Sequence, residues 1–259
     1  MAYAASQNKH YGSKAEFGER MTTWMKNHAK VQHMNETHED VEFADNFTSD
    51  MTDEEFAEMM GLGEDNPDRM LEGTLGEFEE IDEAQHEGRE LSGIGLINWR
   101  TLGKVSPVKN QGGCGSCWAF AAVLVEESKN AIKDGISPPV TLSEQQCVDC
   151  CYNRNGCSGG WMMNCWFESK TYGLRSACDY PYTGVYGSCK RYNGSAASHA
   201  DCWDKISYTS ATSELQNGPL AIAVAAGNDC WRYYSSGILK SSDGCPTWRD
   251  HAVVIVGKE

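Results

Sequence analysis

The sequence predicts an α+β fold, because helical and strand-like patterns occupy different parts of residues 94–259. A stretch that starts at Cys117 carries apolar residues at helical spacing, and residues 161–172, followed by Gly173, have the pattern of another helix. Ser143, with Gln146 three residues later, predicts the capped start of a helix between these two. Further along, residues 220–225 and 251–256 are short apolar runs of the kind found in buried strands, and residues 237–239 are a third predicted strand. Helices therefore precede strands within this region.

The N-terminal region predicts one long helix followed by an extended segment. Six residues recur at offsets of four, four, three, four and four, which keeps them near one helix face: Glu16, Arg20, Trp24, Asn27, Val31 and Asn35. Residues 61–93 are rich in glycine and acidic residues and contain few apolar ones. That composition predicts an extended linker that proteases can reach.

The run from Gln111 to Phe120 indicates a reactive thiol. Cys117 follows a glycine-rich turn and begins an apolar helix, where the helix dipole favours the thiolate, the nucleophilic form of cysteine. Gln111 lies six residues upstream and can offer its side-chain amide to an oxyanion. The non-catalytic interpretation is a structural cysteine pair in a glycine-rich turn, and for Gln111 a hydrogen bond to its own loop.

These motifs resemble the papain family of cysteine peptidases, and more closely a cathepsin L-like precursor. The string Cys114-Gly115-Ser116-Cys117-Trp118 fits the signature of papain and cathepsins. His251 begins the predicted strand 134 residues after Cys117, within the roughly 130–150 residues expected for this family. The six-residue helix pattern is similar to the propeptide helix of such precursors. The resemblance runs from about residue 14 to the last residue.

The resemblance implies a domain organisation. Residues 14–60 would form a helical inhibitory propeptide, residues 61–93 an acidic linker with the processing site, and residues 94–259 a papain-like peptidase domain. That domain would have a helical left half and a β-barrel-like right half, with the cleft between them. Because family members continue past the histidine strand to an asparagine, we expect this domain to be C-terminally incomplete. A naturally shortened, inactive homologue is the alternative.

The resemblance also implies a mechanism. Cys117 would attack the scissile carbonyl as a thiolate paired with protonated His251, and form a thioacyl-enzyme. The backbone N–H of Cys117 and the side chain of Gln111 would stabilise the oxyanion. The chain would therefore be a cysteine endopeptidase zymogen that is activated by propeptide removal at acidic pH.

Substrate-binding residues follow from the same resemblance. Gly159 and Gly160 would present backbone groups to an extended peptide. The main specificity pocket would be apolar and would take a bulky apolar side chain two residues before the cut. The residues at the matching positions are Trp161, Met162, Ala223 and Ala252.

Cysteine usage indicates an oxidising compartment. All 12 cysteines lie at or after Cys114, and this density favours disulfides. The resemblance implies the pairs Cys114–Cys157 and Cys150–Cys189, and an unpaired Cys245. Pairing of the others cannot be read from sequence. The alternative is a zinc or redox cluster, with zinc ligands drawn from Cys147, Cys150, Cys151 and Cys157.

Charge is concentrated in the N-terminal region. Residues 1–92 hold 23 acidic and 7 basic residues, a net charge of −16, whereas the remainder holds 14 and 15, a net of +1. This distribution predicts an acidic cover that protonation near pH 4–5 would loosen. It argues against nucleic acid as a partner, because phosphate binding needs basic patches.

The remaining expectations concern partners and location. We expect polypeptide substrates, the propeptide as inhibitor, a monomer, and neither cofactor, metal nor membrane partner. No apolar stretch at the start has the length of a signal peptide. The resemblance nevertheless implies a lysosomal, vacuolar or secreted protein. The alternative function is a catalytically impaired homologue that acts as a binding or inhibitory module.

Overall fold

The computed structural model describes residues 2–62, 96–151 and 156–258. Residues 2–62 are called the N-terminal unit, and the residues from 96 onward the C-terminal unit. The predicted linker, except for its first two residues, lies outside the described residues. Elements of the N-terminal unit are helices α1 (Ala2–Ser6), α2 (Lys14–Thr37) and α3 (Asp53–Ala57), and strand β1 (Val41–Phe43).

The C-terminal unit has helices first and most of its strands later. Its helices are α4 (Cys117–Lys133), α5 (Glu144–Cys150), α6 (Met162–Tyr172), α7 (Tyr208–Glu214) and α8 (Asp229–Arg232). Its strands are β2 (Ile97–Asn98), β3 (Leu220–Val224), β4 (Tyr234–Gly237), β5 (His251–Ile255) and β6 (Gly257–Lys258). In the described ranges the strands form three antiparallel pairs, β1–β4, β2–β6 and β3–β5.

Helix α4 is the centre of the helical half. Its buried residues Trp118, Ala119, Ala122 and Val123 pack in one cluster with apolar residues of α5 and α6. Helix α5 begins at a cap in which the Ser143 side chain accepts a hydrogen bond from the backbone N–H of Gln146, as expected. Helix α6 ends at Gly173, whose φ of 77° favours glycine. The predicted helices therefore form, and α4 is held by packing on both neighbours.

The strand-rich half differs from the expectation at one strand. Strands β3 and β5 form with Val224 opposite His251, within a residue or two of the predicted limits. A third strand, expected at 237–239, instead covers Tyr234–Gly237 because it pairs with β1 of the N-terminal unit. Gly237 has a φ of 92°, and a Cβ there would lie 2.2 Å from the Asp40 carbonyl oxygen. This contact between the units determines where β4 ends.

Four disulfides join cysteines of the C-terminal unit. They are Cys114–Cys157, Cys150–Cys189, Cys147–Cys165 and Cys230–Cys245. The first two are the pairs that the family resemblance implies. The expectation of an unpaired Cys245 is wrong, because α8 brings Cys230 within bonding distance of it. Among the described cysteines, the free ones are Cys117, Cys151, Cys178 and Cys202.

Helix α2 organises the N-terminal unit through polar contacts. The buried Asn27 side chain donates to the carbonyl oxygens of Ser49 and Met51, both at 3.0 Å. Asn35 pairs with both backbone groups of Phe43 at 2.8 Å. These residues hold the chain after α2 against the helix, so that the unit has a defined fold despite its polar composition.

Two further residues of the six-residue face, Arg20 and Trp24, have other partners. The Arg20 guanidinium makes a two-pronged contact with the Glu55 carboxylate, at 2.5 and 2.7 Å. Trp24 stacks between Tyr3 and His28. Because Tyr3 is buried, residues before 14, where the propeptide was expected to begin, belong to the same unit.

The two units share an apolar cluster. Val31, Val41 and Phe43 of the N-terminal unit pack with the fully buried Tyr233 of the C-terminal unit. Burying such side chains contributes about 1.5–3 kcal/mol each. This cluster and the β1–β4 ladder therefore fix the N-terminal unit on the strand-rich half.

Carboxylates of the N-terminal unit are held in their ionised forms. Burial on its own would raise the pKa of Asp50, but hydrogen bonds from Lys9, Tyr11 and Tyr3 outweigh it and lower the pKa. The Arg20 guanidinium likewise lowers the pKa of Glu55. A carboxyl group with a lowered folded-state pKa stabilises the fold above its unfolded pKa, and that contribution is lost as pH falls through the folded value.

We therefore expect the N-terminal unit to remain folded in mild acid and to come apart below about pH 4, the ordinary carboxyl range. Hydrogen–deuterium exchange of the α2 amides, corrected for the intrinsic effect of pH, measures this transition. Asp50→Asn removes the charge that Lys9 binds, so the variant should exchange faster at neutral pH and show a shallower acid transition.

Glu19→Gln is the matched control, because it removes a carboxylate from the exposed face of α2. Its exchange profile should equal that of the unaltered chain. Loss of α2 protection already between about pH 7 and 5 would contradict the assignment of lowered carboxyl pKa values.

Candidate active site

Cys117 is the first residue of α4 and is almost completely buried, at 1% exposure. Its position at the helix N-terminus follows from the turn before it, where the backbone N–H of Gly115 donates to the Cys157 carbonyl at 2.8 Å. A Cβ on Gly115 would lie 2.5 Å from that oxygen, so the turn requires glycine. The disulfide Cys114–Cys157 holds the same turn.

His251 begins β5, and the next residue, Ala252, contacts Cys117 in a small apolar cluster. The antiparallel β3–β5 pair positions this strand against α4. Within the described residues, the buried Nδ1 atom of His251 has no hydrogen-bond partner. The structure therefore places the histidine strand directly beside the thiol.

Gln111 points into the same cleft. Its Nε2 atom donates to the Met59 carbonyl oxygen at 2.7 Å and to the Cys114 carbonyl oxygen at 2.9 Å. The Tyr182 hydroxyl donates to the Gln111 carbonyl at 2.8 Å and fixes the loop. The amide is therefore oriented toward a carbonyl group of the N-terminal unit.

The last described residues of the N-terminal unit cross this cleft and are called the cleft strand (residues 59–62). Met59 and Met60 still belong to the turn that follows α3, and Leu62 forms a single parallel β-bridge with Gly160. The backbone N–H of Gly160 donates to the Gly61 carbonyl at 3.0 Å, and that of Leu62 donates to the Asp250 carbonyl at 3.1 Å. Gly61 needs to be glycine, because a Cβ would lie 1.9 Å from the Gly115 carbonyl oxygen. The backbone of the cleft strand thus lies directly against the turn that precedes Cys117.

Glycine is also required on the opposite wall of the cleft. A Cβ at Gly160 would lie 2.6 Å from the Trp118 ring. Gly159 is buried and has a φ of 115°, which favours glycine. The two glycines therefore let the cleft strand approach the wall closely enough for backbone hydrogen bonds.

An apolar pocket receives the Leu62 side chain of the cleft strand. Leu62 packs against the cluster of Cys117, Ala121 and Ala252, together with Met162 and Ala221. Two other residues expected at the pocket, Trp161 and Ala223, are half-buried and lie outside this described cluster. Ala221, which sequence reasoning missed, has the next inward position along β3.

The covered site favours uncharged forms of both reactive groups. Burial raises the pKa of the Cys117 thiol, although the backbone N–H groups of Ala252, Gly61 and Trp118 act in the opposite direction. Burial lowers the pKa of the His251 imidazole, against the effect of the Asp250 carboxylate. With the cleft strand in place, the thiolate–imidazolium pair is therefore disfavoured.

Sequence reasoning also missed residues beside the cleft. A cavity of about 420 Å³ is lined by Gln111, His251, Trp231 and Arg232, together with residues of the N-terminal unit. The cleft strand was missed because residues 61–62 were assigned to the linker. The signal that could have found it is the Met-Met-Gly-Leu string at 59–62, a glycine flanked by apolar residues.

No group of side chains suited to hold a metal ion occurs in the described part of the chain. Of the four cysteines considered as zinc ligands, Cys147, Cys150 and Cys157 are in disulfides. The described helices also include none that is long and apolar enough to cross a membrane.

The chain is similar to known proteins over both units. Residues 96–259 match the papain family cysteine protease domain, and residues 2–56 match the cathepsin propeptide inhibitor domain (I29). Digestive cysteine proteinase 3 of Homarus americanus is 31% identical over 98% of this chain and 78% of that protein. The chain spans about half the length, 51%, of digestive cysteine proteinase 2 of the same organism, with 36% identity over 62% of the chain.

Solved proenzyme structures have the same fold. Procathepsin L2 from the larval midgut of Tenebrio molitor has a TM-score of 0.81 and 29% identity, over 99% of this chain and 83% of that one. A recombinant stem bromelain precursor has a TM-score of 0.80 and 27% identity, over 99% and 80%. An α+β, papain-like precursor fold is therefore present, and the chain belongs to the papain family of cysteine proteases, with a cathepsin-type propeptide inhibitor domain before the protease domain.

Proposed function

We propose that the chain is the zymogen of a cysteine endopeptidase that hydrolyses peptide bonds through a thioacyl-enzyme. The observation that carries the proposal is the cleft strand, a peptide bound by its backbone beside Cys117. It contacts Gln111 through the Met59 carbonyl and Gly160 through the Gly61 carbonyl. A substrate peptide would use the same donors once this strand has left.

The chemistry follows from the residues at that crossing. With the cleft strand removed, water and the α4 N-terminus favour the Cys117 thiolate, and His251 can hold the proton. The thiolate attacks the scissile carbonyl, while the Cys117 N–H and Gln111 donate hydrogen bonds to the oxyanion. His251 then donates its proton to the leaving amine and later takes a proton from the attacking water.

Substrate preference follows from the pocket that Leu62 occupies. Its apolar wall, formed by Met162, Ala252 and Ala221, supports a bulky apolar side chain near the bond to be cut. The backbone of Gly159–Gly160 supports binding of extended peptides in general.

Release of the propeptide in acid is part of the proposal. Carboxylates that hold the N-terminal unit have lowered pKa values, so that unit loses stability in acid. The C-terminal unit contains a carboxyl group with a raised pKa, because burial raises the pKa of Glu168 to about 7. A raised carboxyl pKa contributes stability at low pH that is lost as pH rises through the folded value. Acid therefore weakens the inhibitor and favours the protease domain.

The four disulfides support an oxidising location, which we propose to be a lysosome, a vacuole or the cell exterior. Mass mapping of the endogenous protein tests this assignment. Finding these eight cysteines reduced in the cell would contradict it.

The catalytic assignment predicts the behaviour of three variants. After propeptide removal, the chain should cleave a fluorogenic peptide that carries a bulky apolar residue two positions before the cut. Cys117→Ala and His251→Ala should abolish cleavage. Gln111→Ala should lower kcat by about 10²–10³-fold, the usual effect of losing one oxyanion donor.

Cys178→Ala is the matched control, because Cys178 is a free but exposed cysteine. It should retain full activity. Activity in Cys117→Ala would contradict the proposed nucleophile. Peptide binding without cleavage by the folded, unaltered protein would support the alternative, a binding or inhibitory homologue.

Because Gly61 lies so close to the Gly115 carbonyl, we expect a larger residue at position 61 to weaken inhibition by the N-terminal unit. In Gly61→Ala the new methyl group would collide with the Gly115 carbonyl, so the cleft strand has to shift away. We expect measurable peptide hydrolysis by the unprocessed variant and faster self-processing. Both are measured by following activity and chain length together in one sample.

Gly18→Ala provides the control, since nothing lies within 4 Å of a Cβ at that position on α2. This change adds a better helix former and should keep the zymogen at least as latent. Equal latency of the two variants would contradict an inhibitory role for the cleft strand.

A further inference from the structure

Arg232 is a buried cation of the C-terminal unit that hydrogen-bonds to the N-terminal unit. Its side chain is 1% exposed, and Nη1 donates to the Asp53 carboxylate at 3.0 Å. Nη2 donates to the carbonyl oxygens of Thr48 and Met51, at 2.8 and 2.7 Å. Nε also donates to the Thr48 hydroxyl at 3.4 Å. In the described residues, the guanidinium thus binds two backbone carbonyls, one carboxylate and one hydroxyl of the unit that activation would remove.

The position of Arg232 relates it to the proposed catalytic residues. It lines the same 420 Å³ cavity as Gln111 and His251. The N-terminal unit passes Arg232 at residues 48–53, reaches Gln111 at Met59 and reaches Gly160 at Gly61. Along the N-terminal unit, the contact with Gln111 therefore comes between those with Arg232 and that with Gly160. If the acyl part of a substrate binds along Gly160, this order favours Arg232 on the side of the leaving group.

Removal of the N-terminal unit would leave the guanidinium at the cleft without these acceptors. It would also lose the Phe56 ring, 4.6 Å away, but keep the Tyr233 ring, at 5.1 Å. A guanidinium has five donors and cannot be deprotonated, so it needs new acceptors. Its rigid fork matches a carboxylate and stacks on an aromatic ring. A substrate with an acidic side chain would reproduce the contacts seen with Asp53.

We propose that Arg232 determines specificity on the leaving-group side and selects peptides with an acidic residue after the cut. The proposal rests on the proposed peptidase function and adds a second recognition site to the apolar pocket before the cut.

One acidic side chain of the C-terminal unit could compete with substrate. Asp229 lies three residues before Arg232 on α8 and binds Lys30 of the N-terminal unit at 3.2 Å, so activation releases it as well. Exposed ion pairs three residues apart on a helix contribute little to stability. A substrate carboxylate that enters the cavity is less hydrated and can accept hydrogen bonds with both oxygens, so it binds the guanidinium more strongly. Asp250 is already engaged by the N–H groups of Ala226 and Gly227.

The test uses the full chain, activated by propeptide removal, and pairs of fluorogenic peptides that differ only in Glu or Gln. The variable residue is placed at the second, third or fourth position after the cut. At about pH 6, where a free glutamate is ionised, we expect about tenfold higher kcat/KM for the Glu peptide at the preferred position. Added salt should reduce the ratio.

Three variants identify the source of the preference. Arg232→Gln should bring the Glu/Gln ratio to about one, and Arg232→Lys should give an intermediate ratio because it keeps the charge and loses the fork. Arg100→Gln, the matched control, removes an exposed charge and should keep the ratio. If Arg232→Gln folds poorly, the salt dependence of the unaltered enzyme still tests the charge.

The outcomes separate the two proposals. Equal cleavage of Glu and Gln peptides at all three positions would overturn the role of Arg232 and leave the peptidase function intact. Cleavage of neither peptide by the folded, activated chain would overturn the peptidase function and the specificity with it. A preference for Glu that persists in Arg232→Gln would assign the preference to another group.

Discussion

The structure depends on the backbone-to-backbone contact between the cleft strand and the turn that carries Cys117. A Cβ at Gly61 would lie 1.9 Å from the Gly115 carbonyl oxygen, and a Cβ at Gly115 would lie 2.5 Å from the Cys157 carbonyl oxygen and 3.2 Å from the Gly61 Cα. On the other wall, Gly160 packs its Cα on the Trp118 ring and hydrogen-bonds to the Gly61 carbonyl. The cleft strand is positioned by the contacts that hold the N-terminal unit on the C-terminal unit, namely helix α2, the β1–β4 ladder and the shared apolar cluster. The cleft strand therefore blocks the cleft by packing closely against both of its walls.

The same contact controls the electrostatics of the site. The cleft strand removes water from Cys117 and His251, and burial shifts the pKa of each in the direction that favours its neutral form. The helix N-terminus that would favour a thiolate is present throughout, but covering the site outweighs it. In the proposed mechanism, losing the strand opens the cleft and also permits the ion pair, so a single event changes both access and reactivity.

Local patterns predicted the parts of the structure that depend on neighbouring residues. Helix α4, the strand of His251 and the capped start of α5 follow from spacing, propensity and turn residues near each element. The cleft strand, the limits of β4 and the Cys230–Cys245 disulfide could not be predicted that way. They depend on contacts between distant parts of the chain, such as Val41 with Gly237, which no local period encodes.

Alkylation of Cys117 measures directly whether the cleft strand covers the thiol. Iodoacetamide is added to the intact chain and to the chain after propeptide removal, and the modified Cys117 peptide is quantified by mass spectrometry. The exposed Cys178 serves as an internal reference. We expect Cys117 to react at least about tenfold more slowly in the intact chain, and Cys178 to react equally in both. Equal rates at Cys117 in the two forms would contradict a cleft strand that covers and neutralises the thiol.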